Sequence, residues 1–249
     1  MKVISFVNKK GGVGKTTLCL NFAAILASKN KKILIIDNDA QCNITKTFNL
    51  ENSSKSLYDV MLNKESLFNV IKKTNINNLD LVPNNKFYQD VIMKIASASN
   101  REFKLKTALD DLNLKYDYIL IDCNPSLDLG VLNALVATDE VIIPVDTSAY
   151  ALEGLTDIND FINAINTNIN SSLKIKSFIL NNIDRRTKLY LEIQSAINKV
   201  YPGKLAKTTI SLSSIYAKMQ FKKQTLIDNK ISKSYLEYNK LLKELNYLD

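Results

Sequence analysis

An α/β fold with a doubly wound, mostly parallel β-sheet flanked by helices is predicted by three observations. Short runs of consecutive Ile, Val and Leu recur along the chain. Longer stretches with helical spacing of apolar residues separate them. A glycine-rich turn joins the first run to the first helix. Runs that are apolar at successive positions suit strands covered on both faces. Their alternation with helices is the pattern of a parallel sheet.

Strands are expected at residues 3–7, 33–36, 79–82, 118–121, 141–145 and 177–180. Amphipathic helices are expected at 16–28, 104–114, 127–136, 152–165 and 189–200. Residues 43–78 are polar and rich in Asn, Lys and Ser; a short helix at 56–62 and surface loops are expected there. Residues 232–245 read as a helix carrying Tyr235, Tyr238, Leu241, Leu242 and Leu245 on one stripe, which should pack on the body of the protein. With only 6 Gly and 4 Pro, neither linker nor repeat is visible, and one domain spanning residues 1–249 is expected.

The net charge is +8, and it is unevenly placed. Residues 1–184 hold 20 basic and 20 acidic side chains, whereas residues 185–249 hold 13 and 5. A basic region of this kind suggests an anionic partner, nucleic acid above all. The three cysteines, Cys19, Cys42 and Cys123, are far apart. That spacing argues against a disulfide framework and against a zinc or iron–sulfur site within one chain, and it fits a reducing cytoplasm. No histidine is present, so histidine-based acid–base chemistry and metal sites are excluded. No apolar run reaches the roughly 18 residues of a membrane span, and the N-terminal run is too short for a secretory signal.

The turn reads "NKKGGVGKTT" over residues 8–17. The usual pattern, Gly-x-x-x-x-Gly-Lys-[Ser/Thr], would put glycine at position 9, where this chain has Lys9, followed by Lys10. The rest fits a phosphate-binding loop. Gly11, Gly12 and Gly14 let the backbone, Val13 included, wrap phosphates. N–H groups at the start of the following helix point at the anion. Lys15 should reach the β- and γ-phosphates, the Thr16 hydroxyl should ligate Mg²⁺, and Thr17 can donate to the α-phosphate. Two further strands end in carboxylates. "YDYILIDCNPS" ends in Asp122, which can hold Mg²⁺ through water. "KILIIDNDAQCN" ends in Asp37 and Asp39, one of which can orient or deprotonate the attacking water.

Together these segments resemble the ParA/MinD family of deviant Walker-A ATPases. The resemblance rests on "KGGVGKTT" at 10–17, "IDNDAQCN" at 36–43, "YDYILIDCNPSL" at 116–127 and "VIIPVDTSAYALEGL" at 141–155. It points to the short ParA/Soj type, without an N-terminal operator-binding domain. The resemblance implies ATP and Mg²⁺ as ligands, slow ATP hydrolysis and an ATP-dependent homodimer. Lys10 would cross to the partner subunit's phosphates, and Asp39 would sit at the hydrolytic water. Thr16, Asp122 and Asp39 would form the metal site, and Asn181 would lie near adenine. It further implies non-specific DNA binding in the ATP state, a ParB-type partner that stimulates hydrolysis, and a cytoplasmic, nucleoid-associated protein. The arginines that relatives carry near residues 208–219 are missing here. DNA contacts are therefore expected from Arg185, Arg186, Lys188, Lys218, Lys222 and Lys223. A MinD-like role in positioning a membrane or protein cargo is the alternative, although the acidic end of "YNKLLKELNYLD" offers no membrane anchor. Other departures are Lys9 for Gln, Ala40 for Pro, Cys42 for Gly and Asn124 for Pro.

Overall fold

The computed structural model describes residues 1–148 and 151–249. Seven strands form one sheet: β1 (Lys2–Phe6), β2 (Ile33–Asn38), β3 (Lys72–Lys73), β4 (Leu79–Val82), β5 (Tyr118–Cys123), β6 (Glu140–Val145) and β7 (Lys174–Leu180). Their order is β3-β4-β2-β5-β1-β6-β7. Every pairing is parallel except β3 with β4. All six expected strands are present, and β3 is an addition at the edge. The chain moves to one side of β1 for β2 and to the other for β6. The C-terminal tip of β1 is thus a topological switch point, where such sheets open a crevice.

Both faces of the sheet are covered, which the consecutive apolar positions require. Val3, Leu34, Ile36, Ile119 and Ile121 join one core layer, while Ile4, Phe6, Ile33, Ile35 and Leu120 join the other. One expectation needs correction here. The first helix, Lys15–Ser28, is not amphipathic but buried all round, with Leu18 to Ala27 inaccessible. The reason is the C-terminal helix Lys233–Glu244, which covers the side facing away from the sheet. Phe22 stacks edge-on against Phe6 (5.5 Å) and against Tyr238 (5.9 Å). Such aromatic pairs contribute about 0.5–1.5 kcal/mol each beyond the area they bury. The apolar stripe from Tyr235 to Leu245 is therefore used up inside the fold.

Scarce glycine is offset by asparagine. Among the described residues, nine non-glycine residues have left-handed φ, and seven of them are asparagines. Asn tolerates that region because its short side chain can bond locally. In the 43–78 region the chain forms short helices at Asn43–Thr47, Leu57–Met61 and Leu67–Val70. The expected helix at 104–114 ends early, at Asp110, and that at 152–165 extends over Ala151–Asn168. Helices at Tyr88–Ile95 and Ile215–Lys222 were not expected. Ala149 and Tyr150, within the 141–155 match, lie outside the described residues. Among the described residues, no helix is long and apolar enough to cross a membrane.

Candidate nucleotide site

The loop after β1 is held from both ends. Asn8 is buried; its amide donates to the Pro144 carbonyl (2.7 Å), and its Oδ1 accepts from the Lys10 backbone N–H (2.9 Å). Gly12 and Gly14 have φ of 78° and 88°. At Gly14 a side chain is doubly excluded, because a Cβ would also run into the Asn181 amide. Gly14 then starts the helix, its carbonyl accepting from the Leu18 N–H at 2.9 Å. Lys15 is buried and curls under the loop to donate to the Lys10 carbonyl at 3.1 Å.

The two strands beside β1 deliver the carboxylates. In-register pairing puts Asp37 of β2 next to Asp122 of β5. Asp37 Oδ2 accepts from the Thr45 N–H (2.9 Å) and hydroxyl (2.6 Å). That hydroxyl in turn accepts from the Asn84 N–H at 3.0 Å. Asp37 Oδ1 and both Asp122 oxygens are buried with no hydrogen-bond partner of good geometry, although the Thr16 hydroxyl lies near enough to draw the Asp122 pKa back down. Unpaired carboxylate oxygens in a dry site are costly unless a cation neutralises them. Lys15 supplies one positive charge. Thr16 and Asp122 form the donor set of a hard cation that keeps its remaining ligands as water and phosphate, so the residues present fit Mg²⁺. Asp39 is half-buried; its Oδ1 caps the turn by accepting from the Gln41 N–H at 2.9 Å, and it lines the cavity beside the loop.

Burial pushes Asp37 up to about 6, against the pull of the two Thr45 bonds. Burial, reinforced by Asp37, also pushes Asp122 well above the usual carboxylate range. Burial lowers Lys15, while the charge of Asp122 raises it. A carboxyl with a raised folded pKa stabilises the fold fully below its unfolded value, and this is lost as pH rises through about 6. For Asp37 the loss by neutral pH is on the order of 3 kcal/mol. The nucleotide-free chain should therefore melt a few degrees higher at pH 5 than at pH 7.5. Asp37→Asn should flatten part of that difference in a thermal melt, the rest belonging to Asp122. A variant whose melting point tracks the wild type at both pH values would refute the assignment.

Lys10 is positioned differently from Lys15. Its side chain is 37% exposed and pairs with Asp146, just beyond β6, at 2.5 Å. The Ser148 hydroxyl lies at the same distance from its Nζ. Lys9 pairs with Asp157 on the 151–168 helix at 2.7 Å, both side chains about half exposed. An exposed pair of that kind contributes about 0–1 kcal/mol. Asn124 joins a network. It donates to Asp128 (3.0 Å), which caps the Leu129–Val136 helix. Cys42 takes a left-handed φ of 55°. All three cysteines are buried thiols.

The loop, Lys15, Thr16, Thr17 and Asp39 line a cavity of about 340 Å³. A larger hollow of about 670 Å³ lies elsewhere, around Asn63, Phe68 and Lys104. It has no glycine-rich turn and no strand-tip carboxylate, so the chemistry belongs to the smaller cavity. Asn181 is buried beneath the loop and supports it, donating to the Val13 carbonyl at 2.7 Å. The wall away from the loop is built by Tyr216, Met219, Gln220 and Gln224, which sequence reasoning missed. The sequence marks their segment only by its missing arginines and by Lys218, Lys222 and Lys223 as expected DNA contacts.

The expected DNA-contact residues divide in two. Arg185 donates to the Thr209 hydroxyl (2.7 Å) and pairs with Glu237, Arg186 pairs with Asp184 (2.7 Å), and Lys223 reaches Asn49 (2.5 Å) and Glu51. Among the described residues, Lys188, Lys218 and Lys222 have no ion pair.

Comparison with known proteins agrees with this geometry. Residues 1–175 match the family model described as AAA domain. The chain is 36% identical over 211 residues to the sporulation initiation inhibitor protein Soj of Bacillus subtilis, covering 84% of this chain and 83% of Soj. It is 37% identical over 190 residues to the chromosome partitioning protein ParA of Myxococcus xanthus, covering 76% and 67%. A plasmid partition protein of Borrelia burgdorferi, solved bound to AMPPNP, superposes with a TM-score of 0.87 at 28% identity, covering 99% of this chain and 98% of that one. The chain therefore belongs to the ParA/Soj family of P-loop partition ATPases.

Proposed function

We propose that the chain acts as one Mg²⁺-dependent ATPase unit whose ATP-bound form is a homodimer that holds DNA without sequence preference. The observation that carries this reading is the pair of lysines on one loop. Lys15 is buried under the loop, where it serves its own nucleotide. Lys10 stands half-exposed at the rim, held among the described residues by Asp146 and Ser148. A triphosphate brings more charge than one lysine offsets, and a second cation from a partner subunit makes association depend on the γ-phosphate. Thr16 and Asp122 would hold Mg²⁺, which would neutralise charge developing on the phosphates. Asp39 would position the attacking water.

Among the described residues no arginine lines the cavity, which favours slow turnover and stimulation by a second protein of ParB type. The relatives' names as partition proteins support that partner, and a cytoplasmic, nucleoid-bound location with it. A membrane-positioning role has less support, because the C-terminal helix buries its apolar stripe in the fold.

Random-sequence duplex DNA in a gel-shift assay tests the reading. Binding should require ATP and Mg²⁺, and log affinity should fall with log salt by about 0.9 per phosphate contacted. Binding that is equal with ATP, with ADP and without nucleotide would refute the ATP gate; no binding in any state would refute the DNA role.

A further inference from the structure

We propose that Tyr88 and Asn38 are positioning residues for ATP hydrolysis: their buried hydrogen bond fixes the tip of β2 and thereby sets the place of Asp39. The inference rests on the water-positioning role given to Asp39 above and deepens it.

Asn38 is the last residue of β2, between Asp37 and Asp39. Successive side chains of a strand point to opposite faces. Asp37 faces Thr45, and Asn38 turns the other way, into the core layer that holds Tyr88 and Val91. Asn38 is 0% exposed. Asparagine is a poor strand former, and a buried amide is costly unless its polar atoms are paired. Here both ends are paired. The Tyr88 hydroxyl, itself buried, donates to Asn38 Oδ1 at 2.5 Å. Asn38 Nδ2 donates to the Gly130 carbonyl at 3.1 Å. Tyr88 opens the Tyr88–Ile95 helix, and Gly130 lies in the first turn of the Leu129–Val136 helix. Three elements thus meet on one amide.

Glycine permits that approach. A Cβ at Gly130 would lie 3.2 Å from Ile92 Cδ1 and 3.1 Å from Asp128 Oδ1, tighter than ordinary contact. The same network reaches the tip of β5. Asp128 accepts from the Gly130 and Val131 N–H groups, from the Asn124 amide (3.0 Å) and from the Ser126 hydroxyl (2.5 Å). Asn124 and Ser126 flank Pro125, which lines the nucleotide cavity. One buried network therefore fixes the ends of both strands that carry the site's carboxylates.

An apolar pair of the same shape would fill this space at no greater cost. The polar pair adds direction, because a hydrogen bond fixes distance and angle and apolar contact does not. Asp39 is the next residue along the chain. Its place at the cavity is inherited from the strand tip, and a shift of about 1 Å in a reacting geometry can cost about 10²-fold in rate.

Phosphate release at saturating ATP and Mg²⁺ tests the assignment on the full chain. Tyr88→Phe, which removes one hydroxyl, should lower kcat by about tenfold and leave KM for ATP within about twofold. Val91→Ala is the control. It empties packing on the same helix and spares the hydroxyl, so it should melt lower than wild type and keep its kcat. In an Asp39→Ala background, Tyr88→Phe should cost nothing further, since the two changes act through one group. Equal loss of kcat in Tyr88→Phe and Val91→Ala would make the effect one of stability and overturn the proposal. So would a full kcat in Tyr88→Phe while Asp39→Ala is slow, or a further tenfold loss on adding Tyr88→Phe to Asp39→Ala. Full turnover in Asp39→Ala would instead overturn the reading of Asp39 itself.

Discussion

Lys10→Ala is expected to leave ATP affinity within about threefold of wild type and to lower hydrolysis by roughly 10³-fold, the range in which a cation supplied in trans acts on phosphoryl transfer. The asymmetry comes from the geometry. The loop wraps phosphate through backbone groups fixed by Asn8, Gly12, Gly14 and Asn181, and the Lys10 side chain points away from them to Asp146. Removing that side chain therefore spares the loop. Equilibrium binding of a fluorescent ATP analogue and a phosphate-release assay measure the two quantities. A parallel loss of both would mean that Lys10 serves its own subunit's nucleotide.

Asp39→Ala should have the opposite signature, with ATP bound, turnover lost by about 10²-fold or more, and ATP-state dimers that persist. Asp39 is half-buried, and among the described residues its carboxylate accepts one hydrogen bond, from the Gln41 N–H in an exposed turn. The cost to the fold should be small, about 1 kcal/mol for a lost cap. Size-exclusion chromatography after ATP addition reads the persistence. Rapid turnover in this variant would move the water-positioning role to another group. Asp37 is less suited to that role, since it is fully buried and Thr45 holds its Oδ2 twice over, whereas Asp39 lines the cavity.

The strands and the phosphate loop were legible because their signals are local. Consecutive apolar residues mark strands buried on both faces, and Gly-Lys-Thr-Thr after such a run marks the loop. β3 was not legible, since two lysines carry no pattern. The Tyr88–Ile95 helix is buried through Tyr88, Val91 and Ile95, but polar neighbours mask its beginning. The Ile215–Lys222 helix buries a single side chain, so it has no apolar stripe to find. The function of Asn181, and the pairings of Lys9 and Lys10, depend on residues more than 130 positions away in sequence. Contacts of that kind are made by the sheet order, and no local spacing encodes them. Lys223 has equally remote partners, and those of Arg185 lie 24 and 52 positions away; the basic character of both was plain while their partners were not.

The central claim, that each ATP is completed by a lysine from the other subunit, is tested most directly by mixing two inactive variants. Neither Lys10→Ala nor Asp39→Ala should hydrolyse ATP alone. In a mixed dimer, the Lys10→Ala subunit keeps its own Asp39 and receives Lys10 from its partner. Combined in equal amounts, the two should recover roughly a quarter of the wild-type rate, since random pairing gives about half mixed dimers, each with one complete site. A mixture as inactive as its components would place Lys10 and Asp39 on the same subunit's nucleotide and contradict the account.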